Sequence, residues 1–259
     1  MAKLRQTVEC SVRDVVLQNG KEVSALKARI KFKKYGVMKF IGHLDVMRYF
    51  QKVMRRADIP IAFTQGFSPH MIMSFAQPLG IGITSDGEYL DIELAGNIDS
   101  EVAIKRMNET MVEGMEIVNF VPIPDDKKQS GMTITAAAAY NVYLLESEKS
   151  SDIRRKIPDD WKEASARFMA QDEIVVLKKT KRSEKEVDIR PMIYDMKVDS
   201  NAIYLFLATG SERNLKPDLV MDTFLHFINI DSVPLHYHRL DIYAKNAEDQ
   251  LVPLDALGI

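Results

Sequence analysis

The chain has 259 residues, of which 46% are apolar, so it is long enough to bury one large core or two ordinary ones. Its single cysteine, Cys10, excludes an internal disulfide and an iron–sulfur cluster held by this chain alone, because both need several thiolates. No window approaches eighteen uninterrupted apolar residues, and MAKLRQTVECSVRD lacks the apolar core of a secretory signal. We therefore expect a cytoplasmic protein that is not bound to a membrane and holds no metal or cofactor of its own.

The formal net charge of −2 hides an uneven distribution of charge along the chain. Residues 21–56 contain eleven Lys or Arg and only two acids, Glu22 and Asp45. Clustered cations attract polyanions, so this segment is a candidate for binding phosphate groups. An ordinary solvated cationic face is the alternative that the sequence leaves open.

The first half of the chain predicts the order strand, helix, strand, strand, helix, strand. Apolar and basic residues alternate from Lys27 to Lys33, which predicts a half-buried strand with a basic outer face. Apolar residues then recur at three- and four-residue steps from Gly42 to Ala57, which predicts an amphipathic helix. The remaining elements are predicted as strands at 61–63, 89–94 and 115–121, with a helix capped by Asp99 or Ser100 before the last strand.

The second half repeats this order and completes the predicted fold. Its predicted elements are a strand at 140–146, a helix capped by Asp159, strands at 173–179 and 202–209, a helix begun by Pro217 and a strand at 236–244. The repeated order matches the split βαβ, or ferredoxin-like, unit. We predict an α+β protein of two tandem ferredoxin-like domains, with an N-terminal arm at 1–24, a first domain at 25–122, a linker at 123–136 and a second domain at 137–259.

The GHLD motif contains the two candidate catalytic residues, His43 and Asp45. Side chains two positions apart on a helix point in different directions, so these two cannot pair directly. In the structural interpretation, His43 lies at a strand-to-helix turn and Asp45 favours the positive helix N-terminus. His43 also remains open as a general base or a substrate contact.

The GFSPH motif predicts a tight loop. Gly66 can adopt a positive φ, Pro69 fixes its own φ, and the loop then presents Phe67, Ser68 and His70 at a defined place. A ligand-binding loop and a purely structural turn are both compatible with this pattern.

Cations line one face of the helix predicted for 42–57. Arg48, Lys52 and Arg55 share that face, and Tyr35 and Tyr49 lie nearby in sequence. Cations on regular elements bind phosphates, and aromatic rings stack on bases. The pattern therefore makes RNA a candidate partner.

Other sequence signals for chemistry are weak. His236 and His238 share one face of the last predicted strand, but without a third ligand we predict no metal site. On the opposite face, Arg239 and Asp241 are predicted to make surface or interdomain contacts. The patterns GxGxxG, GxxxxGK[ST], HExxH and GxSxG do not occur, which excludes the common nucleotide-binding and hydrolase signatures.

The stretch KYGVMKFIGHLDVMRYFQKVMRRADIPIAFTQGFSPHMIMSFAQPLGIGITSDGEYLDIEL resembles the bacterial radical-SAM-linked protein family. Members of that family carry similar GHLD or SHLD, RRA-x-(I/L)-P, GF-x-P and G-(I/V)-x-S-x-x-E-Y-x-D-(I/L) elements. The resemblance covers residues 25–122 and continues weakly through KEVDIRP. The residues at matching positions are Gly42, His43, Leu44, Asp45, Arg55, Arg56, Gly66, Phe67, Pro69, Gly82, Ser85, Glu88 and Asp91. At His70 the chain departs from the proline that many relatives have.

The resemblance implies a protein encoded beside, or fused behind, a cobalamin-binding radical-SAM protein. It adds Arg56, Ser85 and Glu88 to the candidate substrate-binding residues. The leading hypothesis is a non-catalytic accessory or substrate-binding protein that serves RNA or ribosome-related modification by that partner. A second hypothesis is a metal-independent endonuclease like those of the CRISPR RAMP group, with His43 as the base. A third is a protein-only scaffold.

Overall fold

The chain contains both strands and helices in the computed structural model, which describes residues 26–147, 153–179 and 184–259. The helices are α1 His43–Arg56, α2 Ser100–Asn108, α3 Gly131–Ile134, α4 Asp160–Met169 and α5 Pro217–Phe227. The strands are β1 Leu26–Lys34, β2 Met73–Phe75, β3 Thr84–Leu94, β4 Met115–Ile123, β5 Thr135–Leu144, β6 Val175–Lys179, β7 Glu184–Asp188, β8 Ile193–Val198, β9 Ile203–Ala208, β10 Leu235–Lys245 and β11 Leu251–Pro253. The arm predicted for residues 1–24 lies outside the described residues.

Nine of these strands form one mixed sheet in the order β4-β1-β3-β10-β5-β9-β8, with β2 paired to β3 and β11 paired to β10. Neighbouring strands are antiparallel except β3 and β10, which are parallel. Strands β6 and β7 form a separate two-stranded hairpin. The predicted α+β class is therefore confirmed.

Strand β3 joins the strands of the two halves of the chain. Its start pairs with β10, where Thr84 lies opposite His238 and Ser85 lies opposite Arg239. Further along, β3 pairs with β2. Strand β1 pairs with β3 along most of the length of β3. The two predicted domains thus contribute to one sheet across this junction.

Each half of the sheet has its own apolar core. In the first half, the ring of Phe50 on α1 lies 4.7 Å from that of Phe32 on β1 and 5.9 Å from that of Phe75 on β2. In the second half, Phe224 on α5 lies 5.5 Å from Phe168 on α4. The helices were predictable because their apolar residues recur on one side, and that side packs on the sheet.

Several predicted element boundaries are wrong. Strand β5 begins at Thr135 rather than at Tyr140, because the run of alanines before Tyr140 is buried within the sheet. The strand predicted at 173–179 corresponds to β6, which pairs with β7 outside the main sheet. In the main sheet, the partner of β9 at this edge is β8. Asp159 precedes α4 without a capping side-chain hydrogen bond. Asp99 does cap α2, since its carboxylate accepts from two backbone amides.

The predicted basic outer face of β1 is also wrong, because other segments cover it. Arg29 is only 1% exposed, and its Nε and Nη2 donate to the carboxylate of Asp91 at 2.8 and 2.9 Å. The same guanidinium donates to the carbonyls of Leu254 at 3.1 Å and Gln129 at 2.9 Å. A buried arginine is thus held by one carboxylate and two carbonyls.

The neighbouring lysines of β1 are paired in the same way. Lys27 Nζ lies 2.7 Å from the carboxylate of Asp125. Lys31 Nζ lies 2.6 Å from Asp241, which also accepts a 2.6 Å hydrogen bond from the Tyr89 hydroxyl. We call Lys27, Arg29, Lys31 and their acidic partners the β1 ion-pair layer.

Candidate functional site

Helix α1 places cations on its solvent side. Arg48, Lys52, Arg55 and Arg56, which we call the α1 cation face, are all exposed, whereas Val46, Phe50, Val53 and Met54 are buried. Arg48 lies 3.3 Å from Asp45 in an exposed ion pair, which contributes little to stability. In the described parts of the chain, Lys52, Arg55 and Arg56 have no carboxylate within ion-pair distance.

Residues 61–72 form a narrow hairpin beside the end of β3. The Ile72 amide donates to the Ala62 carbonyl at 2.9 Å, and the Thr64 amide donates to the His70 carbonyl at 2.9 Å. The Ala62 amide donates to the Glu93 carbonyl at 2.8 Å, which fixes the hairpin to the sheet. The GFSPH motif lies at the tip of this hairpin.

The tip exposes an aromatic ring to solvent. Gly66 has φ +110°, a conformation that favours glycine, and the side chain of Phe67 is fully exposed. Ser68 is exposed beside it. His70 supports the turn, since its Nδ1 lies 3.1 Å from the Thr64 hydroxyl and its amide donates to the same oxygen at 3.1 Å.

His43 is the first residue of α1, directly after the extended N-cap Gly42. Its ring packs edge-on against Phe75 at 5.0 Å between centroids. Asp45 lies in the first turn of the helix and pairs with Arg48. The two candidate catalytic residues therefore have different partners.

Glu88 lies in a buried cluster of charges between the two halves of the sheet. It is 3% exposed, and its Oε1 lies 3.4 Å from Nη1 of Arg239, which is 2% exposed. Lys34, also 2% exposed, donates to the Ile41 carbonyl at 2.9 Å and acts electrostatically on Glu88. Lys34, Glu88 and Arg239 form what we call the junction charge cluster. Of the two positions predicted for Arg239, surface or interdomain, its burial excludes the surface, and its contact with Glu88 joins the two halves of the chain.

Burial shifts the protonation of this cluster. It raises the pKa of the Glu88 carboxyl above its ordinary value, although Arg239, Ser85 and Lys34 act in the opposite direction. It lowers the pKa of the Lys34 ammonium, although Glu88 opposes the shift. Both groups are thus displaced towards their neutral forms.

Ser85 lies at the start of β3 and is completely buried. Its hydroxyl accepts from the Gly87 amide at 3.1 Å. A Cβ on Gly87 would lie 2.6 Å from the Asp241 carboxylate and 2.8 Å from the Leu240 carbonyl, so glycine permits β3 and β10 to approach closely. Ser85 and Gly87 thus shape the junction from inside.

Two cavities flank the junction charge cluster. A small one of about 10 Å³ is lined by His43, Lys34 and Glu88. A larger cleft of about 510 Å³ reaches Arg239. Of the predicted site residues, the structure thus brings His43 and Glu88 to one cavity, whereas the hairpin tip and the α1 cation face line neither of the two.

Sequence reasoning missed Lys34 and Arg239 as members of a site. Lys34 ends a strand whose other cations looked equivalent to it, and Arg239 lies in an alternating strand with nothing to mark it as buried. Their roles depend on the parallel pairing of β3 with β10, which joins residues more than 150 positions apart. Of the three members of the junction charge cluster, only Glu88 could be recognised from the sequence, because it belongs to a family motif.

The two histidines of β10 converge on a hydroxyl. Thr84 Oγ1 lies 2.8 Å from His236 Nε2 and 2.8 Å from His238 Nδ1, and His238 Nε2 lies 3.0 Å from the Asp86 carboxylate. These contacts tie β10 to β3. Among the residues that the structure describes, no group of three or more His, Cys, Asp or Glu side chains is arranged to hold a metal ion.

The fold and these surfaces define an α+β protein with one large mixed sheet, a buried charge cluster at its junction and an exposed cationic helix. Within the described ranges, no helix is long and apolar enough to span a membrane. The chain belongs to the family described as "Uncharacterized protein conserved in bacteria (DUF2344)", whose profile matches residues 27–217. The match ends before β10, so Arg239 lies beyond it.

Comparison with solved structures finds a likeness to a chain in "Crystal Structure of a Cbf5-Nop10-Gar1 Complex". The TM-score is 0.39 and the sequence identity 10%, and the alignment covers 83% of this chain and 48% of that one. Comparison with curated protein sequences finds no match. A structural likeness of this size carries no conclusion about function.

Proposed function

We propose that this protein is a non-catalytic accessory that binds an RNA substrate for a cobalamin-binding radical-SAM enzyme. The α1 cation face is the observation that carries the RNA part, because three of its cations have no carboxylate partner among the described residues. Uncompensated cations on a rigid element bind phosphates and release the counterions that surround them. Lys27, Arg29 and Lys31 of β1 are paired with acids in the β1 ion-pair layer, so they are not part of this surface.

The hairpin tip supplies a second contact of the kind that RNA uses. Phe67 is fully exposed on a turn braced by the contacts between Thr64 and His70. An exposed ring on an ordered turn offers a stacking surface for an unpaired base at a low cost in conformational entropy. The tip and the cation face follow each other in the chain, separated only by residues 57–65.

The radical-SAM partner rests on the family resemblance and on one negative observation. Radical-SAM chemistry starts at an iron–sulfur cluster, and Cys10 is the only cysteine in the sequence. The partner would therefore hold the cluster, while this chain would hold the substrate. Ser85 and Glu88 are buried, so their role in this proposal is to shape the junction rather than to touch RNA.

We also infer that each half of the chain is a split βαβ, or ferredoxin-like, unit. The strand orders β4-β1-β3-β2 and β10-β5-β9-β8 support this, because in each half the first strand lies between the third and the fourth. In the second half, the β6–β7 hairpin would then be an insertion before the second strand.

Filter binding of the purified protein to total RNA across a salt series tests the RNA part. We expect binding at low salt that weakens as salt rises. Replacing Lys52, Arg55 and Arg56 together by Ala should reduce the slope of log K against log salt by roughly 2, since each lost single-strand contact removes about 0.7. A variant with Lys162, Arg167 and Lys245 replaced by Ala changes the charge equally at exposed sites elsewhere and should keep the slope.

Two results would count against this proposal. Absence of RNA affinity at low salt would remove the RNA part and favour the scaffold. Equal losses in the two triple variants would show that binding follows net charge and not the α1 cation face. Co-purification with the radical-SAM protein tests the partner separately, with and without nuclease treatment.

A metal-independent RNA endonuclease is the second candidate. It is favoured by the position of His43, which is exposed at the start of the helix that carries the α1 cation face. In this mechanism His43 would remove the proton of a ribose 2′-hydroxyl, and the 2′-oxygen would attack the adjacent phosphorus. The bond to the 5′-oxygen would break, this oxygen would take a proton from water, and Arg55 or Lys52 would stabilise the phosphate charge. Cleavage of RNA that is lost in His43→Ala but kept in His70→Ala would support it, and uncut RNA would exclude it.

A further inference from the structure

A cleft of about 510 Å³ opens above the junction of the two halves of the sheet. Ile81 lines it from the loop before β3, Tyr140 from β5, Tyr237 from β10 and Lys216 from the start of α5. Its volume lies within the range of about 300–1,000 Å³ that is usual for small-molecule sites. The α1 cation face and the hairpin tip do not line it, so a ligand here would be independent of the proposed RNA surface.

The inner wall of the cleft carries a buried and incompletely compensated cation. Arg239 Nη1 donates to the Gln77 carbonyl at 2.9 Å and lies 3.4 Å from Glu88, which is longer than a hydrogen bond. Arg239 Nε has no hydrogen-bond partner within the described chain. Arginine stays protonated in proteins, and a buried charge requires compensation. An anion in the cleft would supply it.

A second cation lies at the edge of the cleft. Lys216 is exposed, and no ion pair is seen for it among the described residues. Asp218 is the one acidic residue among those lining the cleft, and its carboxylate accepts from the Leu219 amide at 3.0 Å. Among the lining residues, two cations therefore face one carboxylate, so the lining itself is net positive. Glu88, which lies 3.4 Å from Arg239, is outside the lining.

The remaining wall suits a flat, partly apolar group. Ile81 is 68% exposed at the rim, and Tyr140 and Tyr237 add aromatic surface. Burial raises the pKa of the Tyr237 hydroxyl, so this group remains a neutral donor. An exposed isoleucine beside a cationic wall is apolar surface that a ligand could cover.

We propose that this cleft binds an organic phosphate of about mononucleotide size, with its phosphate towards Arg239 and Lys216 and its flat group between Ile81 and Tyr237. The phosphate supplies the negative charge that the inner wall lacks. The aromatic and aliphatic rim covers the base. Neither part of this ligand needs the α1 cation face.

Isothermal titration of the full chain with adenosine monophosphate, adenosine and inorganic phosphate tests the proposal. We expect the nucleotide to bind at least about tenfold more tightly than either fragment, because only the nucleotide satisfies both walls. Lys216→Ala should weaken nucleotide binding about tenfold. Lys245→Ala, a matched change at an exposed lysine of β10 outside the cleft, should leave it unchanged.

A second variant keeps the test independent of the lysine. Ile81→Asp places a negative charge at the exposed rim without disturbing a buried contact, and it should also weaken nucleotide binding. No binding of the nucleotide at millimolar concentration would overturn the proposal. Equal affinities for the nucleotide and adenosine, or equal effects of the two lysine variants, would also overturn it.

Discussion

Strand β1 and helix α1 belong to the same basic segment of the sequence, yet the fold treats their cations in opposite ways. Arg29 on β1 is buried against Asp91, and Lys31 is paired with Asp241. Arg55 and Arg56 on α1 face solvent without an acidic partner among the described residues. A basic run thus predicts a polyanionic partner only through the cations that the fold leaves uncompensated.

The difference comes from what packs against each element. The open side of β1 is covered by residues 124–130 and by the C-terminal segment around Leu254, and these segments bring acids to it. The outer side of α1 receives no such cover in the described chain. Charges in the first environment contribute to stability, and those in the second can contribute to binding.

The largest expected effect is the loss of the Arg29 partner. Asp91→Asn keeps the size of the side chain but leaves a buried guanidinium without its counter-charge, which costs about 3–5 kcal/mol of unfolding free energy. Urea unfolding measures it. Arg55→Ala is the matched change on α1 and should alter stability by less than about 0.5 kcal/mol. Similar losses of unfolding free energy in both variants would show that the buried charges of β1 and the exposed cations of α1 do not differ in their contribution to stability.

Gly87→Ala should have the next largest effect, because it tests the junction that positions Asp241 for Lys31. The new methyl group would lie 2.6 Å from the Asp241 carboxylate and 2.8 Å from the Leu240 carbonyl. Overpacking of this kind costs about 1–3 kcal/mol. Gly96→Ala, whose nearest neighbour would be 3.9 Å away, is the control for thermal unfolding. Unchanged stability of Gly87→Ala would mean that β3 and β10 are not held this closely.

A smaller effect on stability is expected at Glu88, the acidic neighbour of Lys34 at the end of β1. Burial raises the pKa of Glu88 above 4.5, so its contribution to stability is complete below pH 4.5 and is lost as pH rises through the folded-state pKa. Glu88→Gln cannot ionise. The stability of the natural protein relative to this variant should therefore fall as pH rises from 4.5. A difference that grows with pH would show that Arg239 and Lys34 outweigh burial.

Local patterns were enough to predict the elements that carry the exposed surface. The apolar stripe of α1, the cap at Asp99 and the start of α5 at Pro217 follow from side chains close in sequence. Strand β8 was missed because the segment around β6 has a stronger strand pattern, although β6 pairs only with its own hairpin partner. Whether a strand joins the main sheet depends on distant contacts.

The burial of the charges could not be predicted from the sequence either, because it also depends on contacts between distant parts of the chain. Alternation on β1 correctly separates the two sides of the strand, but it does not show whether the basic side meets solvent or acids. Those acids come from residues far along the chain, such as Asp241. Arg239 is recognisable as a site residue only once β10 lies beside β3.

The smallest effect on stability is expected at the hairpin tip, where the exposed group is an apolar ring instead of a cation. Phe67→Ala removes a fully exposed ring, so the free energy of unfolding should change by less than about 0.5 kcal/mol. RNA binding should nevertheless weaken by about 1–3 kcal/mol, because one stacked base loses its platform. Phe63→Ala, which truncates another exposed ring of the same hairpin before the tip, is the control. Equal RNA affinity of the natural protein and Phe67→Ala would show that the tip is a structural turn, and the α1 cation face would then bind RNA without it.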